Sequence, residues 1–403
     1  MPKKLVRIGD LGQVITGKTP PTKNLEYYGG DTPFLTPSDD MGGKYVKKTS
    51  RALTSAGVAK AAKCLLPPGA ICMSCIGSDL GKVVITRDQT VTNQQINSVI
   101  PDKDIVDPEY LYYSMLPLGR QLNGLSKTST AIPIINKTTF SNCKIALVDM
   151  RTQHTIGHIL ATLDAKIEIN NRINDHLLEY ARTIFKKWLT STHGNYAPIA
   201  DVAEFNPDNY SPREQWPLVQ YLDTGNITRG IVESYQVIDP QSERLPNRAR
   251  RKITSGDIIY SSVRPVQEHY GLILNPAKNV LVSTGFTVIR ANDRLVCPEL
   301  LYLFLIQDSV TKTLQQIAEQ SVSTYPSIKA DDLGALQFPL PSAKETAELQ
   351  PALKGIFGAI DSNRRESRQL AKLRDTLLPK FMSGEIDASK IDLKRLNGHL
   401  FES

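Results

Sequence analysis

Two long stretches of the chain carry apolar residues at helical spacing over many turns. The first, residues 150–191, contains one glycine and no proline, and is rich in helix-forming residues. Its apolar positions follow each other in steps of three and four: Ile156, Leu160, Leu163, Ile167, Asn170, Asn174, Leu177, Ala181, Ile184 and Trp188. This narrow seam predicts a coiled-coil helix, and about 40 residues at 1.5 Å each span roughly 60 Å.

The second stretch, residues 342–384, supplies a partner helix. Its seam consists of Leu349, Leu353, Ile356, Ile360, Asn363, Leu370 and Leu377. Asparagines fall within both seams, and buried asparagines fix the register of a coiled coil at some cost in stability. The residues predicted to pair the helices are Leu160, Leu163, Ile167, Asn170, Asn174 and Leu177 with Ile356, Ile360, Asn363 and Leu370. Pro351 and Pro379 leave the ends of the second helix undefined.

The segments before each long helix show no such periodicity and predict short strands and turns. Their motifs repeat in the same order. For example, Pro108-Glu-Tyr-Leu in the first segment corresponds to Pro298-Glu-Leu-Leu in the second. We interpret the chain as a tandem duplication. The predicted segments are globule 1–149, helix 150–191, globule 192–341, helix 342–384 and a tail, 385–403. In the first globule, Pro108–Leu116 predicts a short helix and Ser126–Pro133 a polar loop.

Composition narrows the class of protein. A chain of 403 residues with 40% apolar and 22% charged residues suits two folded domains. No apolar run approaches the ~18 residues of a membrane span, so we expect a cytoplasmic protein with no membrane partner. Its five cysteines are unevenly spaced and predict buried thiols. The net charge of +7 favours a polyanionic partner.

Three motifs resemble catalytic or metal sites but lack the surrounding pattern. Gly12–Thr19 matches the phosphate-loop spacing, yet two prolines follow at once where a helix would have to begin. Asn206-Pro-Asp-Asn-Tyr lacks the second proline of a methyltransferase loop. His154 and His158 have metal-like spacing without a third ligand. We therefore expect a binding protein with no catalytic residues, no metal and no cofactor of its own.

The loops of both globules hold side chains suited to DNA, with Lys and Thr for phosphates and Arg, Asn and Gln for base edges. The candidate contacts of the first globule are Lys18, Thr19, Thr22, Lys23, Ser38, Lys44, Asn93, Gln94, Gln95, Lys127, Thr128 and Ser129. Those of the second globule are Thr224, Asn226, Thr228, Arg229, Arg264, Gln267, Thr284, Ser321, Ser323, Thr324 and Tyr325.

These motifs together resemble the specificity subunit of type I restriction–modification systems. The resemblance rests on Gly17-Lys-Thr-Pro-Pro, Tyr28-Gly-Gly-Asp-Thr-Pro-Phe, Asn93-Gln-Gln, Ser283-Thr-Gly-Phe and Ser323-Thr-Tyr-Pro-Ser-Ile. It also rests on Asp164…Asn171-Arg172 and Asp361…Asn363-Arg364 in the two helices.

The resemblance implies an α+β fold. Two tandem target recognition domains would be separated by two long antiparallel coiled-coil helices, with pseudo-twofold symmetry. Each domain would read one half of a bipartite sequence in double-stranded DNA, and the helices would set the spacing between the halves. Two modification (methyltransferase) subunits would dock and bring S-adenosylmethionine, and restriction/translocase subunits would bring ATP and Mg.

Two other functions remain open from the sequence. An NTPase or methyltransferase would have to bind ATP or S-adenosylmethionine itself. A coiled-coil adaptor with two protein-binding globules would show no salt-dependent affinity for DNA, whereas a DNA reader loses affinity as salt rises.

Overall fold

The computed structural model describes residues 3–46, 48–127, 134–192, 195–320 and 326–391. The chain forms two compact units. Unit 1 combines Met1–Ile169 with Glu366–Ser403, and unit 2 is the continuous segment Asn170–Arg365. Each unit therefore contains one globule together with part of each long helix, so the units differ from the contiguous segments that the sequence predicted.

The helices fall in the order of the two repeats. Unit 1 contains the shorter helices α1 (Ser55–Lys60), α2 (Pro108–Lys127) and α3 (Lys137–Asn142). The first long helix is α4 (Met150–Ser191). Unit 2 contains α5 (Pro298–Leu305), α6 (Asp308–Gln320) and α7 (Ala330–Gly334), and the second long helix is α8 (Ala343–Ser383).

The strands of unit 1 form two small sheets and a two-stranded ribbon. Their bounds are β1 Lys4–Arg7, β2 Gly12–Thr16, β3 Tyr28–Leu35, β4 Ala52–Leu53, β5 Leu65–Leu66, β6 Ile71–Ser74, β7 Val83–Ile85, β8 Thr90–Thr92, β9 Ile96–Pro101 and β10 Lys144–Leu147. The spatial orders are β2-β9-β6-β7, β4-β3-β8-β5 and β1-β10. Strands β3 and β8 are parallel, and the other pairs are antiparallel.

Unit 2 repeats this plan strand for strand. Its bounds are β11 Tyr196–Pro198, β12 Ala203–Phe205, β13 Val219–Leu222, β14 Ile227–Thr228, β15 Ile231–Val232, β16 Gln236–Ile238, β17 Ala249–Lys252, β18 Ile258–Ser261, β19 Tyr270–Leu272, β20 Val280–Ser283, β21 Phe286–Ala291 and β22 Gln337–Pro339. The orders are β12-β21-β18-β19, β16-β13-β20-β17 and β11-β22, with β13 and β20 parallel. The hairpin β14-β15 is an addition. The predicted tandem α+β fold with two long helices is confirmed.

The long helices complete the core of each unit. In unit 1, Ile156 and Leu160 of α4 are buried with Leu378 and Phe381 of α8 against the sheet residues. In unit 2, buried side chains of α4 such as Phe185 pack with residues of α8 such as Phe357. Because these helices also bury a face against a globule, their apolar surface is wider than a coiled-coil seam.

Within each unit, the two helical segments run antiparallel. In unit 1, the carboxylate of Asp164 accepts hydrogen bonds from Arg374 at 2.6 Å and from Tyr113 Oη at 2.5 Å. In unit 2, Asn363 Nδ2 donates to Asn174 Oδ1 at 2.9 Å, and Asn170 is 1% exposed. The remaining predicted pairing residues are half-buried or buried.

Both long helices begin at side-chain caps. Asp149 accepts from the backbone amide and hydroxyl of Thr152 at the start of α4. Ser342 and Glu345 cap α8 reciprocally, with Ser342 N donating to Glu345 Oε2 at 2.7 Å. Helix α8 continues through Pro351, whose exposed position leaves the freed carbonyl on the solvent side.

One predicted element is wrong. The short helix at Pro108 continues as α2 to Lys127, so Ser126 and Lys127 belong to a helix rather than to a polar loop. The sequence does not predict this length, because Pro117 and Gly119 are unfavourable inside a helix. Position 119 requires glycine because its backbone approaches Gly81 so closely that a Cβ atom would overlap Gly81.

Candidate nucleic-acid interface

The polar loops of unit 1 converge at one edge of the fold, where strands β2, β3 and β8 end. The parallel register pairs Leu35 with Thr92, which brings the carboxyl ends of β3 and β8 together. Asn93 N donates to Leu35 O at 3.0 Å, and Lys18 N donates to Thr92 O at 2.8 Å. Residues separated by about 75 positions in sequence are thereby joined.

Gly17 allows this convergence. A Cβ atom at position 17 would overlap backbone and side-chain atoms of Thr92 and Asn93. The loop that carries Lys18 and Thr19 can cross the end of β8 only because position 17 has no side chain. The glycine of Gly17-Lys-Thr-Pro-Pro thus serves a close backbone approach. Thr16 ends strand β2, and no helix begins at Lys18 or Thr19 as a phosphate loop would require.

Three consecutive amides divide between the interior and the surface. Asn93 is 8% exposed, and its side chain bonds both the backbone amide and the side chain of Gln95. Gln94 is exposed, and its Oε1 accepts from Thr19 Oγ1 at 2.7 Å. Asn93 therefore holds the loop, whereas Gln94 presents an amide to solvent in a fixed orientation.

A concave surface of about 460 Å³ lies beside these amides, lined by Thr16, Cys75, Ile76, Gln94, Gln95, Asn97, Ile134, Ile135, Asn136 and Lys137. Sequence reasoning missed Thr16 and Asn97, which bond each other at 2.6 Å. Asn97 is 2% exposed and also donates to Ile135 O. An asparagine inside an apolar strand was the available signal. Burial raises the pKa of the Cys75 thiol, which keeps it neutral.

The other candidates of unit 1 differ in their surroundings. Thr22 and Lys23 are exposed in the turn beyond the Lys18 loop. Ser38 is exposed after β3, with its Oγ 2.8 Å from Thr36 Oγ1. Beside it, burial tends to raise the pKa of Asp39, but hydrogen bonds from Ser50 and Thr36 outweigh burial and lower this pKa overall.

Lys44 does not join this surface. Its side chain is 8% exposed, and its Nζ lies 2.5 Å from Glu109 Oε2. The same ammonium lies over the rings of Tyr45, Tyr112 and Tyr113. Its charge is therefore satisfied inside unit 1, and its assignment as a phosphate contact is not supported. Lys127 lies at the end of α2, and Thr128 and Ser129 lie outside the described residues.

Unit 2 builds an edge with the same backbone contacts. Cys75 N donates to Gln95 O in unit 1, and Ser262 N donates to Gly285 O in unit 2. Likewise Ile135 N donates to Cys75 O, and Ile328 N donates to Ser262 O.

Different side chains occupy this second edge. Thr224 and Asn226 follow β13, and Thr284 is exposed between β20 and β21. Arg264 and Gln267 are exposed in the β18–β19 loop, where Arg264 has a φ of +47°.

The remaining candidates of unit 2 are partly tied to other groups. Arg229 follows β14 and pairs with Glu268 at 2.5 Å. Thr228 Oγ1 lies 3.3 Å from His269 Nδ1. Ser321, Ser323, Thr324 and Tyr325 lie outside the described residues. Arg248 was not among the predicted contacts, although its carbonyl accepts from Thr284 N and the basic run Asn247-Arg-Ala-Arg-Arg-Lys stands out in the sequence.

The two histidines with metal-like spacing do not form a metal site. His154 and His158 are exposed, and His154 Nδ1 lies 2.6 Å from Asp107 Oδ2. Within the described ranges, no group of three or more His, Cys, Asp or Glu side chains is arranged to hold a metal ion. In the same part of the chain, no helix has both the length and the apolar character that a membrane crossing needs.

Comparison with known proteins points to a single family. The type I restriction modification DNA specificity domain matches residues 2–179. The chain is 24% identical to the type I restriction enzyme MjaIX specificity subunit of Methanocaldococcus jannaschii over 96% of its own length and 94% of the relative's. It is 39% identical to the type I restriction enzyme HindI specificity subunit of Haemophilus influenzae, over 34% of this chain and 30% of that one.

A solved structure shares the fold. The type I restriction–modification S subunit from M. genitalium superposes with a TM-score of 0.55 at 16% identity, covering 94% of this chain and 96% of that one. The domain match, the similarity over nearly the whole length and the duplicated fold agree with one another. The chain matches the type I restriction modification DNA specificity domain in its first part and is similar to type I restriction enzyme specificity subunits over nearly its whole length.

Proposed function

We propose that this chain is the DNA sequence-recognition subunit of a type I restriction–modification complex, and that each unit reads one half of a bipartite target. The proposal rests on one observation. Two edges with the same backbone framework carry different polar side chains, Lys18, Thr19 and Gln94 in unit 1 and Thr224, Arg264 and Thr284 in unit 2. A shared framework with divergent polar loops suits the recognition of two different half-sites.

In this proposal the chain determines which DNA sequence the complex recognises, and it carries out no catalysis itself. Two methyltransferase subunits dock on it and bring S-adenosylmethionine, and restriction subunits supply ATP- and Mg-dependent translocation and cleavage. The length of α4 and α8 determines the spacing between half-sites. The basic net charge of +7 supports a polyanionic ligand, because counterion release from phosphates drives such association.

The test is methylation of a random-sequence DNA pool by the full chain, with and without the methyltransferase subunit proposed as its partner. We expect methylation at one split motif, and only when the methyltransferase is present. Replacing residues 192–341 with the corresponding segment of a relative should change one half of that motif and leave the other half as it was.

Two results would contradict the proposal. Methylation by this chain alone would make it an enzyme. Absence of any methylated motif, together with DNA retention that is independent of sequence and of salt, would favour the coiled-coil adaptor instead.

A further inference from the structure

Strand β17 of unit 2 begins in an unusually basic segment. Within nine residues the sequence places five cations: Arg244, Arg248, Arg250, Arg251 and Lys252. The first three are exposed, and Ala249 between them is buried. The strand thus directs Arg248 and Arg250 outward while its small apolar residue packs inward.

This segment adjoins the candidate DNA edge. Thr284 N donates to Arg248 O at 2.9 Å, and Ala249 stands opposite Ser283 in the sheet. On the far side of the same loop, a Cβ atom at Gly285 would lie 2.8 Å from Thr224 Cγ2. Arg248 is therefore continuous with Thr224 and Thr284, two of the predicted DNA contacts.

A cavity of about 630 Å³ opens on this side of unit 2. Arg244 and Arg250 line it with Tyr210 and Trp216, whose ring centroids are 4.8 Å apart. Unit 1 differs at the equivalent place, since helix α1 packs Val58 and Ala61 against the sheet there. In unit 2 the connection between β16 and β17 contains turns instead, which leaves the basic face open.

Among the described residues, no carboxylate forms a salt bridge with Arg244, Arg248 or Arg250, and nearby acids pair with other cations. Glu214 pairs with Lys252 at 2.6 Å, and Asp208 pairs with Arg290 at 3.0 Å. Glu243 lines the cavity itself. The buried Nε of Arg251 has no hydrogen-bond partner among the described residues. Burial also lowers the pKa of this side chain.

We infer that Arg248 and Arg250 bind the phosphate backbone of the DNA duplex beside the half-site that unit 2 reads. This inference rests on the proposed function and adds to it the basic surface formed by β17 and the loop before it. Phosphate contacts strengthen binding without selecting bases, so their removal lowers affinity equally for all sequences and weakens its dependence on salt.

The test compares the full chain with a double variant, Arg248→Ala and Arg250→Ala. Binding of a fluorescent 40-base-pair random-sequence duplex is followed by anisotropy between 50 and 200 mM salt. The slope of log affinity against log salt is negative, and it should become shallower by about 1.8, since each phosphate contact contributes roughly −0.9. A second variant, Arg248→Lys and Arg250→Lys, retains both charges and should keep the original slope.

The matched control is Lys278→Ala with Arg294→Ala. It removes two exposed positive charges from unit 2, but Lys278 lies before β20 and Arg294 after β21, at the opposite end of these strands from Thr284. Its slope should equal that of the unaltered chain. Thermal unfolding of all variants checks that the fold is retained.

Each remaining outcome has one meaning. An unchanged slope in the alanine variant overturns the inference. An unchanged slope combined with weaker association with the methyltransferase subunit would assign the basic segment to an acidic protein surface. If the unaltered chain itself shows no salt-dependent DNA binding, the proposed function fails and not only this inference.

Discussion

Neighbouring residues in one loop have different roles at the candidate interface. Asn93 is buried and satisfies its hydrogen bonds within the loop, whereas the adjacent Gln94 is exposed and anchored on one side by Thr19. A glutamine amide can bond both N6 and N7 of adenine in the major groove. We therefore propose Gln94 as a base contact and Asn93 as the residue that fixes the loop through Gln95.

We predict that Gln94→Ala changes the methylated motif at one base pair of one half-site. Discrimination at that position should fall by about 1–3 kcal/mol, the contribution of one bidentate contact. Asn93→Ala should instead lower thermal stability, because Gln95 loses its partner, and weaken recognition of the whole half-site. The control is Gln13→Ala, an exposed glutamine near the start of β2, which should leave the motif unchanged. An unchanged motif with Gln94→Ala would exclude it as a base contact.

At the scale of elements, the cap of α8 connects the two long helices within unit 2. Glu345 accepts from Ser342 N and also from Trp188 Nε1 of α4 at 3.0 Å. Hydrogen bonds from Ser342, followed by those from Thr192 and Trp188, lower the pKa of Glu345. A carboxylate with a lowered folded pKa stabilises the fold above its unfolded pKa, and this contribution disappears as pH falls through the folded value.

We predict that Glu345→Gln lowers the free energy of unfolding of unit 2 by about 1 kcal/mol at neutral pH, a typical contribution of a helix cap. The difference from the unaltered chain should vanish at a pH below the lowered pKa of Glu345. Denaturant unfolding followed by the fluorescence of Trp188 and Trp216, the two tryptophans of the chain and both in unit 2, measures both effects. Glu348→Gln, an exposed substitution one turn along the helix, is the control and should be neutral. A difference that persists undiminished in acid would contradict this account.

The long elements were predictable because they depend on local signals. Asp149 caps α4, no proline interrupts it, and its seam has the expected period. Helix α2 was underestimated because Pro117 and Gly119 are tolerated through tertiary packing, which a single sequence does not reveal. The ion pair of Lys44 and Glu109 was missed for the same reason, because 65 residues separate its two members.

The sequence predicted which residues belong to the candidate interface better than it predicted the contacts between them. Thr19 and Gln94 belonged to the predicted set, but their contact depends on the parallel pairing of β3 with β8. That pairing joins residues far apart in the chain, so no local sequence pattern predicts it. Equivalent positions in the repeats, such as Gln94 and Thr284, each two residues before the next strand, did indicate that the two edges are counterparts.

At the scale of the whole molecule, the two units differ in continuity. Unit 2 is one uninterrupted segment, Asn170–Arg365, whereas unit 1 requires residues from 366 onward. The core of unit 1 includes Leu378, Phe381 and Ala388, all almost fully buried. The first globule is therefore incomplete without residues that follow the second.

We predict that the fragment 170–365 folds cooperatively when expressed alone, while the fragment 1–169 does not. Loss of buried side chains such as Leu378 and Phe381 costs about 2–5 kcal/mol each, comparable with the stability of a domain. Joining residues 366–391 to the fragment 1–169 through a flexible linker should restore cooperative unfolding. Circular dichroism and denaturant titration measure this. A stable fragment 1–169 would show that these contacts are dispensable.

The discontinuity of unit 1 also orders events during synthesis. At ribosomal rates of about 5–20 residues per second, roughly 10–45 s separate the appearance of residue 169 from that of residues 366–391. During this interval the apolar surface that later receives Phe381 is uncovered, while unit 2 already has every residue it needs. The nascent chain should therefore acquire its second unit before its first, and its N-terminal part should be the segment that depends on chaperones.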